Sequence, residues 1–115
     1  MQSAKTDKGD PYLRGLELAR EGRHADAIPC FEEALRERPE DARVYFALGN
    51  TAEAVGHSQA AENFFRRVLA QEPDRLEPLV NLANLLRRQQ RTNDAIALLK
   101  PAIEKNPHFA ELWLT

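Results

Sequence analysis

The stretch ARVYFALGNTAEAVGHSQAAENFFRRVLAQEP, residues 42–73, decides how the chain is read. Its first half places Tyr45, Leu48, Gly49 and Ala52 at i, i+3, i+4 and i+7, one face of a helix. Gly56 then fits the left-handed residue that closes a helix, and Ser58 stands where a following helix needs an N-cap. Ala61, Phe65, Val68 and Leu69 form a second helical face. Pro73 stops that helix, because proline has no N–H to donate and its ring clashes with the preceding turn.

The same pattern recurs on both sides at a shift of 34 residues. Ala27, Ala61 and Ala95 share a column, as do Phe31, Phe65 and Leu99, and Pro39, Pro73 and Pro107. Gly15 aligns with Gly49 and Ala83, and Gly22 with Gly56 and Gln90. Tyr45, Leu79 and Trp113 form another column. The third unit repeats the core face as Leu79, Leu82, Ala83 and Leu86, and Thr92 repeats Ser58 as the expected N-cap. Small residues at the Gly15 and Ala27 columns let paired helices approach closely. A single hairpin of this kind cannot bury its own apolar face, so successive units must stack.

Several columns recurring at one period resemble the tetratricopeptide repeat (TPR) family. The resemblance covers three units, 8–41, 42–75 and 76–109, and is strongest in the second. It implies an all-α fold, a right-handed superhelical stack of antiparallel helix hairpins. Residues 1–9 read as an N-terminal tail, since Asp10-Pro11 suits an N-cap followed by proline at the first helical position. Arg14 stands in the Leu48/Leu82 column, as suits an end unit meeting water. Residues 110–115, AELWLT, read as the start of a fourth unit in a longer repeat protein. Trp113 is then expected to fold back on the second helix of the third unit or to pack on a neighbouring chain. Pro29 falls early in its helix, whereas Pro101 lies deeper and predicts a kink or a loosened turn.

Composition narrows the function. Charged residues make up 30 % of the 115, yet the formal net charge is only −2. That balance argues against the basic field of a nucleic-acid binder and against a polybasic membrane anchor. Arg66-Arg67 and Arg87-Arg88 read as solvated helix faces. One cysteine, Cys30, allows no internal disulfide. The N-terminus lacks the apolar core of a signal peptide, and no apolar run approaches the ~20 residues of a membrane span. A soluble cytoplasmic protein is the expectation.

Chemistry is sparse. His24, His57 and His108 fall in turns about a repeat or more apart, without metal-ligand spacing. Cys30 has no histidine placed to activate it, and no glycine loop follows a strand to cradle a phosphate. The reading is therefore non-catalytic, with no metal and no cofactor.

Function is expected on the face that the core leaves over. In proteins resembling this one, the first helix of each unit lines a concave groove. The resemblance then implies a groove formed by Tyr12, Leu13, Leu16 and Arg20 in the first unit. The second supplies Arg43, Phe46, Ala47, Asn50 and Glu53, and the third supplies Glu77, Val80, Asn81, Asn84, Arg87 and Arg88. An asparagine amide both donates and accepts, so Asn50, Asn81 and Asn84 can bridge to an extended peptide backbone. Plain solvation of a polar groove would give the same pattern. Some TPR domains clamp a C-terminal carboxylate. The matching positions here are Tyr12, Leu16, Ala47, Glu77 and Asn81, and Glu77 would repel a carboxylate, which argues against that use. The leading reading is a scaffold binding a protein or peptide partner in its groove. The alternatives are the substrate-recruiting arm of a larger enzyme such as a glycosyltransferase, and self-association through exposed array ends.

Overall fold

A computed structural model describes residues 9–109. Among these, all regular structure is helical. The helices run α1 Pro11–Arg20, α2 His24–Glu37, α3 Ala42–Ala54, α4 Ser58–Gln71, α5 Leu76–Arg88 and α6 Thr92–Lys105. Residues 107–109 open a further helical turn. Consecutive helices pack as antiparallel hairpins, α1 with α2, α3 with α4, α5 with α6, and each hairpin packs on the next. The result is elongated, 53 × 25 × 20 Å. Its radius of gyration of 15.8 Å exceeds the roughly 13 Å of a compact domain of about 100 residues. The expectations for Ala110 and Trp113 lie outside the described residues.

Each turn inside a hairpin is built alike. The Arg23 N–H donates to the Leu18 carbonyl, His57 to Ala52 and Arg91 to Leu86, all at 2.8 Å. The residue just before each donor is left-handed: Gly22 (φ 83°), Gly56 (φ 85°) and Gln90 (φ 64°). These bonds satisfy carbonyls that a helix end would leave orphaned. Gln90 takes the same conformation as the glycines at a steric cost of about 1–2 kcal/mol.

This geometry corrects the expected caps. Ser58 and Thr92 are the first helical residues of α4 and α6, and His57 and Arg91 occupy the N-cap positions without a side-chain cap bond. The reason lies in the turn. The His57 carbonyl already accepts from Ala61 N–H at 3.0 Å and the Arg91 carbonyl from Ala95 at 3.1 Å, so each helix begins one residue before the hydroxyl can cap it. Ahead of α1 and α3 the caps are acidic instead, whereas α5 has Arg75 at this position and no side-chain cap bond. Asp10 accepts from the Tyr12 N–H and Asp41 from the Arg43 N–H, each at 3.0 Å. Pro39, Pro73 and Pro107 each stand two residues past the last helical residue. His24 opens α2 rather than lying in a turn, and His108 lies in the helical turn opened at Pro107.

The core is segmented. Ala27, Phe31 and Ala34 of α2 pack with Val44, Ala47 and Leu48 of α3. Ala42, Tyr45 and Val68 form a small cluster inside the second hairpin. Ala52, Ala61 and Phe65 join Leu79, Leu82, Ala83, Leu85, Leu86, Ala95 and Leu99. The buried face of α3 and α5 is therefore wider than the i, i+3, i+4, i+7 reading, because each must cover both its own partner helix and the preceding unit. Helix α6 continues through Pro101 to Lys105, and both internal prolines, Pro29 and Pro101, are exposed. Among the described residues, no helix is long and apolar enough to cross a membrane.

Candidate functional site

Helices α1, α3 and α5 lie in succession, and residues singled out on them meet across the hairpin boundaries. The Arg43 guanidinium sits 4.6 Å over the Tyr12 ring. Arg75, in the turn before α5, sits 5.0 Å over the Phe46 ring. Tyr12 and Phe46 share one column, and at each of two successive joints an arginine near the start of the next first helix covers the aromatic face. Cation–π contacts of this exposed kind contribute about 0.5–1 kcal/mol. Asn81 Nδ2 donates to Asn50 Oδ1 at 2.8 Å, and Arg88 pairs with Glu53. Arg87 donates to Asn84 Oδ1 at 3.3 Å. Leu16 and Val80 are half-buried beside the hydrophobic clusters.

Two members of the expected groove stripe behave differently. Ala47 is buried against the first hairpin rather than facing the groove, because its column faces the preceding unit. The same column at the first unit holds Leu13, which is 59 % exposed. Of the positions matching a carboxylate clamp, Ala47 is buried and Asn81 is spent partly on Asn50.

Arg43 and Arg75 on this face, like Arg88, are matched by anions. Arg43 forms a two-point contact with Asp41, Nε to Oδ1 at 3.2 Å and Nη2 to Oδ2 at 2.9 Å. That hydrogen bond holds the Asp41 carboxyl below its ordinary range, against a smaller opposing effect of burial. Arg75 pairs with Glu72 at 3.1 Å and with Glu77 at 3.6 Å.

Sequence reasoning missed the joint on the other side of the second hairpin. Glu62 is buried and accepts from Arg66 at 2.9 Å and from Arg91 of the α5–α6 turn at 2.9 Å. Burial pushes the Glu62 carboxyl up, but the hydrogen bonds from Arg91 and Arg66 outweigh it and the net shift is downward. The available sign was a glutamate in a column otherwise Ile28 and Ile96. Arg67, read as a solvated residue, lies 5.0 Å over the Tyr45 ring and donates to its hydroxyl, which in turn donates to the Pro39 carbonyl at 2.7 Å. Arg75 and Asp41 escaped notice because they share one column with opposite charges, so no common chemistry marks it.

No catalytic arrangement emerges among the described residues. No group of His, Cys, Asp and Glu could hold a metal ion there. Cys30 is half-buried, its thiol directed at the Asp26 carbonyl at 3.8 Å.

Comparison with known proteins places this architecture. A family model described as tetratricopeptide repeat matches residues 18–75 and again 52–115. Protein FlbA of Caulobacter vibrioides is 36 % identical over 102 residues, 87 % of this chain and 17 % of that protein. A probable biofilm formation methyltransferase, WspC of Pseudomonas aeruginosa, is 38 % identical over 69 residues, 60 % of this chain and 16 % of WspC. The chain thus spans about one sixth of the length of either relative. Among solved structures, the type III secretion translocator chaperone SycD of Yersinia enterocolitica superposes with a TM-score of 0.73 at 20 % identity, over 89 % of this chain and 80 % of that one. With the repeat, the three hairpins and the family match in agreement, the chain belongs to the tetratricopeptide repeat family, whose helical arrays serve generally as non-catalytic protein-interaction modules.

Proposed function

We propose that the face formed by α1, α3 and α5 binds an extended segment of a protein partner. The observation that supports this most is the Asn50–Asn81 amide pair. One hydrogen bond joins the two side chains and leaves the amide NH2 group of Asn50 and the amide oxygen of Asn81 outside the pair. Exchanging O and N in both amides reverses which residue supplies which, but still leaves one donor group and one acceptor group. A peptide backbone needs that complement, one C=O and one N–H accommodated together. Tyr12 and Phe46, half-buried beneath Arg43 and Arg75, add apolar surface for ligand side chains on the same run of helices. Leu16, Val80, Asn84, Arg87, Arg88 and Glu53 complete the surface. Arg43, Arg75 and Arg88 are matched by anions, so the partner segment is recognised by backbone and shape more than by net charge.

The test is capture of the partner, peptide mapping, and affinity measurement with Asn50→Ala/Asn81→Ala. Removing both amides leaves neither without its mate, so stability should hold while affinity falls about tenfold or more, the equivalent of one or two lost hydrogen bonds. Unchanged affinity in a folded double variant would refute the groove reading.

A second reading, that the chain is the recruiting arm of a larger enzyme, draws on the similarity to part of WspC. The intact mass of the native protein and the sequence flanking this segment decide it.

A further inference from the structure

The two joints between hairpins differ at three matched places. Where the third hairpin meets the second, Asn81 bonds to Asn50, Arg88 pairs with Glu53 and Arg91 pairs with Glu62. One unit earlier the same columns hold Leu16 with Ala47, Ala19 with Ala54, and Ile28 with His57. Leu16, Ala19, Ile28 and Ala47 belong to the first apolar cluster. The polar pairs thus gather at one joint, two of them on the groove side and the third on α4, away from the groove.

An apolar cluster also crosses this joint, from Ala52, Ala61 and Phe65 to Leu79, Leu82 and Leu86. Apolar burial holds two surfaces together without directing them, whereas a charge-assisted hydrogen bond carries direction. Glu62 is buried, and both of its oxygens are engaged. Arg91 Nη1 donates to Oε1 at 2.9 Å and Arg66 Nη2 to Oε2 at 2.9 Å. Arg66 stands one turn along α4, so it anchors Glu62 to its own hairpin. Arg91 Nε donates to Asp94 Oδ2 at 3.0 Å, which anchors Arg91 to α6. Each partner of the clasp is therefore fixed on its own side of the joint. Replacing a buried ion pair by apolar groups is often neutral or stabilising, so what this pair supplies is geometry rather than cohesion.

We propose that Glu62 is a positioning residue for the groove. Through Arg91 it fixes the angle of the third hairpin on the second, and that angle brings Asn81 of α5 into register with Asn50 of α3. The first joint has no counterpart of this bond. The register is what a partner backbone meets, so the inference rests on the groove reading.

Glu62→Ile/Arg91→His copies the first joint onto the second. Arg36, Ala70 and Glu104 are exposed and share one column. Spin labels placed there pairwise, in a Cys30→Ala background, report the first joint as the Arg36–Ala70 distance and the second as Ala70–Glu104. The double variant should keep or exceed the parent's urea midpoint. Its Ala70–Glu104 distribution should broaden while the Arg36–Ala70 distribution stays as it was. At the groove, the Asn81 side-chain amide cross-peaks should shift toward their position in Asn50→Ala, where the mate is missing. An unchanged Ala70–Glu104 distribution overturns the proposal, as does equal broadening at both joints. Unmoved Asn81 cross-peaks overturn it too, and a midpoint well below the parent's would make the clasp a source of cohesion instead. These readouts need no ligand, so their failure leaves the groove reading to its own affinity test.

Discussion

The second and third hairpins solve one packing problem in two ways. In the second, Gly49 of α3 faces Phe65 of α4, and a Cβ on Gly49 would lie 2.5 Å from the Phe65 ring. The first hairpin repeats this with Gly15 and Phe31, also at 2.5 Å. In the third hairpin the same two columns hold Ala83 and Leu99, both completely buried. Side-chain volume has moved from one helix to its partner, a ring and a bare backbone replaced by a branched chain and a methyl. Close-packed interiors accept such exchange when the total is kept. Shape is thus held by the pair, and neither residue is required on its own.

The sharpest way to break this equivalence is Gly49→Ala. The Phe65 ring is fully buried and has nowhere to move, so the expected loss is about 2 kcal/mol after the helix preference of alanine is credited. It should appear as a lower urea midpoint at unchanged slope. Gly49→Ala with Phe65→Leu copies the third hairpin and should recover most of the loss. If the double variant is no better than the single, the columns do not compensate.

The joint between these hairpins is next in size. Glu62 bridges to Arg91, whereas the matching positions one unit earlier are Ile28 and His57. Glu62→Gln should cost about 1–2 kcal/mol at neutral pH, since hydrogen bonds to a charged group are lost or weakened. The sign of the pH effect follows from the downward shift. The carboxyl contributes fully above its ordinary value of 4.5, and that contribution is lost as pH falls through the lower folded value. Wild type should therefore destabilise on acidification below about this point more steeply than Glu62→Gln. Parallel acid profiles would show that the buried carboxyl is energetically idle.

A smaller contrast separates the turns. Gly56 and Gln90 share the left-handed conformation, and a Cβ on Gly56 would meet nothing within 4 Å. Backbone strain alone then acts, so Gly56→Ala should cost about 1 kcal/mol and Gln90→Gly should gain a similar amount. Paired thermal melts check both directions. Smallest of all, Asn50→Ala/Asn81→Ala should move stability by less than about 0.5 kcal/mol, because both members of an exposed pair leave together. A larger loss would make the pair a structural brace between the hairpins and remove the reason to assign it to a ligand.

Much of this was legible beforehand. Fixed-period columns determined the hairpins, the proline stops, the left-handed turns and the Asp10-Pro11 start, because each depends on residues close in sequence. The caps at Ser58 and Thr92 were misread by one residue, since the turn bonds that advance the helix start involve backbone atoms and no particular side chain. Ala47 was assigned to the groove because helical spacing gives directions around one helix but not which neighbour fills each direction.

By itself, then, the sequence determined which residues turn inward and where each helix stops, since local sterics and 3.6-residue periodicity suffice for both. Only the tertiary structure decided which side chains meet. Arg43 on Tyr12, Arg75 on Phe46, Asn81 on Asn50 and Arg91 on Glu62 lie 29 to 31 residues apart. Each contact depends on how one hairpin is set against the next, a geometry created by packed volume in the segmented core and carried by no single repeat.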